Sequence, residues 1–252
     1  MSSNPADSPS HLPDHLAGYV NELAAAQKRL GAGTGDLAAL LALIIQKPAT
    51  RDQLCDLLEK SWSHLQHLRE LLTTLERVKT GSAEFTETLT VAHEAIETGA
   101  TLSFTKLKDA LDAAGAHSKK HPVDSTLQGR LAEANALACC LERRYDSAAG
   151  HYRSAAELSE PNQDKDAQWR YKSLQASALC DLGRESLDDQ KLYEAVALFE
   201  AISSELTDKT DDPDKWATTQ SELGNALGIS GQRQRGTHQL QQSVVTFPVS
   251  YT

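Results

Sequence analysis

The chain repeats itself toward its C-terminus, and that repetition limits what it can fold into. Gly183 and Gly231, Ala195 and Ser243, and Phe199 and Phe247 are each 48 positions apart, and Trp169 and Trp216 are 47 apart. Each copy carries a Trp, a run of small residues at helical spacing, a Gly, a nine-to-ten-residue polar turn and then a small-x-x-x-Phe step. A shared period at four landmarks of matching residue type is hard to obtain by chance. Self-similarity of this kind marks an array whose members cannot bury an apolar face alone and must stack. The Ala- and Leu-rich, β-branched-poor composition makes the stacked members helical, because Ala and Leu lose little side-chain freedom in a helix.

Charge and cysteine usage narrow the partners. With a net charge of −10 the chain gains nothing from displacing counterions on nucleic acid, so nucleic acid is not an expected partner. Cys55, Cys139, Cys140 and Cys180 form no C-x-x-C pair and read as reduced, half-buried side chains of a cytoplasmic protein. The first thirteen residues, rich in Ser, Pro and Asp, have neither a basic start nor an apolar segment and read as a disordered tail rather than a signal peptide. The most apolar run, Leu37 to Ile45, is too short to cross a bilayer and reads as a buried helix, so no membrane is expected either.

In chain order, residues 14–80 read as a helical bundle. A first helix ends at the Gly-rich Gly31–Gly35 stretch, which lacks the Lys-Ser/Thr pair of a phosphate loop and serves as a connector. Asp36 is placed to cap a helix from Leu37 to Gln46, which Pro48 ends. The longest helix, Thr50 to Val78, carries Leu54, Leu58, Leu65, Leu68, Leu72 and Leu75 in alternating steps of four and three, broken only at Ser61. Such a seam needs a partner helix. Two readings stay open: neighbours from the same chain, or a homodimer joined through Leu65 and Leu72. Residues 81–122 read as a degenerate hairpin, Ser82–Thr98 and Ser103–Ala114, with Gly115 to Pro122 as a loop containing His117 and His121. His64 and His67 are close enough in sequence to share a metal, but no third ligand is evident, and neither metal nor cofactor is expected.

Residues 123–252 hold the repeats, at about 124–161, 169–206 and 216–247. In the first, Leu127, Leu131, Ala134, Leu137, Ala138 and Leu141 line one helix; Tyr145, Ala148, Tyr152 and Ala155 line the next, closed by Pro161. In the last, Asp212 and Pro213 precede Trp216, Leu223, Gly224, Asn225, Ala226 and Leu227, and Arg233, Gly236 and Leu240 follow. These residues resemble a long-period variant of the tetratricopeptide repeat found in large bacterial multi-repeat proteins. The likeness is strong from Asp124 onward, weaker from Ser82 and absent before. It implies an all-α fold, an α-α superhelix of helical hairpins following an N-terminal bundle, with a concave groove that binds a peptide or partner domain.

Under that resemblance, a non-catalytic interaction module, scaffold or adaptor is the expected function. The alternative is a regulatory or sensor fragment of a larger multi-repeat protein, its N-terminal bundle dimerising or docking an effector. Groove candidates on the first helices are Arg130, Asn135, Arg170, Gln175, Gln220 and Asn225. Asn225 matches the asparagine of the family's carboxylate clamp, but Ser221 stands where the clamp has lysine. No enzyme is expected: the paired carboxylates Asp188–Asp189 and Asp211–Asp212 fall in turns, and no nucleophile and base converge. The last repeat is expected to end in a short helix whose Leu240, Val244 and Phe247 form an apolar edge suited to self-association.

Overall fold

A computed structural model of the chain describes residues 19–47, 51–78, 82–97, 104–120 and 124–234. They form ten α-helices, with no strand among the described residues: α1 (Val20–Leu30), α2 (Thr34–Ile44), α3 (Arg51–Glu76), α4 (Ala83–Glu97), α5 (Phe104–Lys120), α6 (Ser125–Leu141), α7 (Tyr145–Ser159), α8 (Lys165–Ser186), α9 (Asp189–Glu205) and α10 (Pro213–Gln234). No helix among them is long and apolar enough to cross a membrane. The chain divides into two compact units, one of residues 1–123 with 137–143, the other of residues 124–136 with 144–252. Helix α6 therefore supplies residues to both.

In the first unit the leucine seam of α3 packs on α1, α2 and α4. Leu54, Leu58, Leu65, Leu68, Leu72 and Leu75 are all buried, and Ser61 is buried among them. Leu65 and Leu72, each 0% exposed, are thus covered by the chain's own helices and present no surface to a second copy. Asp36 is not a cap: α2 starts at Thr34, and Asp36 in its first turn accepts two hydrogen bonds from Arg69 at 3.0 and 3.3 Å. Arg69 also donates twice to the Ile96 carbonyl near the end of α4 and lies 5.8 Å over the Trp62 ring. One guanidinium so ties α2, α3 and α4 together. A second, Arg143, donates to the carbonyls of Ile44 and Lys47 at the end of α2, and the Lys47 ammonium donates back to the Arg143 carbonyl. Helix α5 runs six residues past the expected Ala114, through Gly115 to Lys120, so His117 is helical and packs 5.6 Å from Phe85. Residue 121 lies outside the described residues.

The second unit is a stack of helical hairpins whose burial repeats. Helices α8 and α10 are both 22 residues long and start 48 positions apart, at Lys165 and Pro213. Tyr171, Gln175, Ala176, Ala178, Leu179 and Gly183 of α8 are buried, and so are Thr219, Leu223, Gly224, Ala226, Leu227 and Gly231, each 48 positions on. Gly129, Glu133, Ala134 and Ala136 of α6, each 42 positions before its α8 counterpart, are buried as well. The second helices match too: Tyr145, Ala148, Tyr152 and Ala155 of α7 correspond to Leu192, Ala195, Phe199 and Ile202 of α9, 47 positions on, all buried.

The long polar turn expected after Gly183 does not exist. Helix α8 continues to Ser186, and only Leu187 and Asp188 separate it from α9. The added length of this repeat is therefore helix, not loop. Gly183 is glycine for a different reason: a Cβ there would sit 2.8 Å from Leu192 Cγ and 3.0 Å from the Asp188 carbonyl oxygen. The helix ends instead at Leu187, a residue 76% exposed, which takes the left-handed conformation (φ 57°) usually left to Gly.

Glycine substitutions should separate these roles. Gly183→Ala is expected to cost about 1–3 kcal/mol through overpacking against α9. Gly150→Ala, in the exposed interior of α7 with nothing within 4 Å of the added Cβ, should stabilise by roughly 0.5–1 kcal/mol by removing backbone freedom. Urea melts of the two variants should shift in opposite directions.

Candidate partner-binding face

The side-chain bonds of the second unit show where each side of its first helices points. Lys172 on α8 reaches Glu160 at the end of α7, and Gln220 on α10, 48 positions on, donates to Ser203 Oγ on α9 at 2.6 Å. That register position faces the second helices. Trp169 Nε1 donates to Thr219 Oγ1 at 3.0 Å, and Lys215 pairs with Asp166 at 2.5 Å, so α8 and α10 meet edge to edge. Lys215 also reaches Asp212 at 2.6 Å, and these two carboxylates hold its ammonium above the ordinary lysine range. At about 100° per residue, the side left over is the stripe at 128, 132 and 135 on α6. Its counterparts are 170, 174 and 177 on α8 and 218, 222 and 225 on α10. The α6 and α8 members (Gln128, Ala132, Asn135, Arg170, Leu174 and Ser177) are all half-buried; on α10 Thr218 and Asn225 are exposed and Glu222 is half-buried.

Three of the six groove candidates, Asn135, Arg170 and Asn225, fall on this one face. Asn135 and Asn225 hold the same register position, with Ser177 between them. Asn135 donates one amide hydrogen to the Leu131 carbonyl in its own helix at 3.0 Å. Gln220 does not join them, since its amide is turned to α9. Arg130 holds the register position of Lys172 and Gln220, and Gln175 is buried. Leu174 and Ser177 were missed from sequence; applying the repeat offsets to Asn135 and Asn225 would have found Ser177. Leu240, Val244 and Phe247 lie outside the described residues.

The electrostatic centre of the face is a residue that the spacing did not single out. Glu133 on α6 has a side chain 0% exposed, and both its oxygens take hydrogen bonds from Arg170, Nη1 to Oε1 at 2.8 Å and Nη2 to Oε2 at 3.0 Å. Arg170, 41% exposed, also donates to Tyr171 Oη at 2.9 Å and stacks 4.6 Å over that ring. Tyr171 in turn donates to Glu133 Oε2 at 3.3 Å. Burial, and then the charge of Glu133, push the Tyr171 phenol up to about 12, so it stays a donor at any physiological pH.

A cavity of about 30 Å³ lies beside the Glu133 cluster, lined by Ser125, Ser159, Asn162, Asp164 and Tyr171 among others, which is room for about one water molecule. Asp188 caps α9 by accepting from the Gln190 amide, and Asp189 pairs with Arg233. Among the described residues no three His, Cys, Asp or Glu side chains converge as a metal site would require. Comparison of the chain with protein-family models, with curated proteins and with solved structures found no match.

Two measurements check the Glu133 cluster. Arg170→Met should cost about 3 kcal/mol in urea unfolding, because it strands a buried carboxylate, and adding Glu133→Gln to it should restore part of that loss. The raised Tyr171 pKa stabilises the fold below the ordinary tyrosine value of 10.0, and that contribution is lost as pH rises from about 10 to about 12. Wild-type stability should therefore fall across that window, and Tyr171→Phe should flatten the fall.

Proposed function

We propose that the second unit is a non-catalytic protein-interaction module of the tetratricopeptide-repeat type, acting as a scaffold or adaptor in the cytoplasm. Its occupant is an extended segment of a partner protein laid across α6, α8 and α10. The observation that supports this most directly is the register of the open face. Three first helices present equivalent positions, 128/170/218, 132/174/222 and 135/177/225, at intervals set by the repeat. Those positions mix amide and hydroxyl groups with the half-buried apolar Ala132 and Leu174, which suits hydrogen bonding to a main chain together with some apolar burial. Cys55, Cys139, Cys140 and Cys180 form no disulfide among the described residues, in keeping with a reducing compartment.

The test is selection of peptides from a random display library on the full chain, followed by affinity measurement on variants. Leu174→Glu and Asn225→Leu should weaken the selected peptides at least about tenfold, the cost of one lost central contact, with unchanged helical circular dichroism. Tyr193→Ala, on the exposed outer side of α9, should leave affinity unchanged. The opposite pattern, with Tyr193 required and the two face positions indifferent, would move the binding surface elsewhere.

A further inference from the structure

We propose that the buried carboxylate of Glu133 selects the partner: it makes this face accept uncharged extended segments and gives acidic ones no advantage. The inference rests on the reading of the face as a docking surface. Arg170 is the cation at the centre of the face, and an exposed arginine there would recruit carboxylates in pairs of hydrogen bonds. Both terminal nitrogens are already committed to Glu133 at 2.8 and 3.0 Å, and Tyr171 Oη takes a third hydrogen. Because the Glu133 side chain is 0% exposed, water does not screen its charge from the guanidinium. The pair therefore presents itself to a ligand as a neutral dipole. Around it on the face stand Asn135, Leu174, Ser177 and Asn225, all uncharged, with Glu222 on α10; Arg130, whose charge also acts on Tyr171, holds the register position that faces the second helices. The chain as a whole carries −10, so the long-range field does not favour acidic partners either. What the face offers is hydrogen bonding to a main chain and a half-buried apolar position.

Binding of fluorescent twelve-residue peptides to the full chain, in uncharged, acidic and basic pools, tests this at about 50 and about 500 mM NaCl, where screening of exposed charge differs strongly. Wild type should bind the uncharged pool better than the acidic one, with less than about a twofold change for the uncharged pool between the two salts. Glu133→Gln keeps the shape and an acceptor while releasing the charge of Arg170. It should gain about tenfold for the acidic pool at low salt and lose that gain at high salt. The double variant Glu133→Gln with Arg170→Gln should return to the wild-type preference, which identifies the gain as charge rather than altered packing. Wild type already favouring acidic peptides with steep salt dependence would overturn the inference without any variant. So would Glu133→Gln with unchanged preference. Failure of all three pools on wild type would overturn the docking surface itself, a different result from either of these.

Discussion

A carboxylate with no access to water has to be answered from within the protein, and in the second unit that requirement fixes how α6 meets α8. Glu133 lies at a position whose equivalents are Gln175 on α8 and Leu223 on α10, so one register slot passes from charged to amide to apolar along the stack. Only the charged member demands a counterion. Arg170 supplies it with a bidentate grip, whose geometry tolerates little sliding of one helix along the other. Tyr171, next in the chain, reaches the same carboxylate from the buried side and passes close to Gly129, whose absent Cβ would lie 3.7 Å from the phenol oxygen. A net stabilisation from the pair is not required for this effect. Burying two charges costs nearly what their attraction returns, and what the pair contributes is a single register.

The first unit uses arginine differently. Arg69 and Arg143 each answer carbonyl groups near a helix C-terminus, Ile96 for α4 and Ile44 with Lys47 for α2. Such carbonyls lack the amide four residues on that serves the helix interior; Ile44 accepts from the Lys47 amide at 3.3 Å as well as from Arg143. Arg143 takes the left-handed conformation (φ 54°), a strain that its two hydrogen bonds offset. The unit's core is leucine-rich and the seam of α3 is buried against α1, α2 and α4, and these polar anchors tie helix ends to that core.

Helix existence and the hairpin pairing were legible in the sequence because they follow from periodic apolar burial, and Leu54 through Leu75 or Tyr145 through Ala155 carry that signal without ambiguity. Three features were not. Gly183 reads as a helix stop on propensity alone, yet it is a close-approach position, and only the distance to Leu192 separates the two meanings. Leu187 ends the helix in a conformation its side chain disfavours, which no propensity argument would choose. Gln220 has the composition of a groove residue, but which way a polar side chain turns on a helix depends on neighbours such as Ser203 that sequence spacing does not locate. The same limit applied to Glu133: a lone acid on an apolar stripe is visible, but the identity of its counterion, 37 positions away, is a fact of packing.

The two tryptophans show why the period must be taken from burial rather than from landmarks. Their spacing of 47 differs by one from the 48 that relates α8 to α10, so Trp169 is equivalent to Ala217 and Trp216 to Gln168. A shift of one position on a helix turns a side chain by about 100°, which is enough to change what it meets. Trp169 faces the neighbouring first helix, donating to Thr219 with the Lys215 ammonium 5.6 Å over its ring. Trp216 is stacked instead by Lys209, 5.1 Å away, from the link between α9 and α10. They are two different packing solutions that share a residue type. The true equivalences are the small buried pairs Ala176 with Gly224, Ala178 with Ala226 and Gly183 with Gly231. Because those pairs set the rotation of each helix about its axis, they also decide that Asn135, Ser177 and Asn225 emerge on a common side. The composition of the open face is thus a consequence of where the helices could afford no side chain.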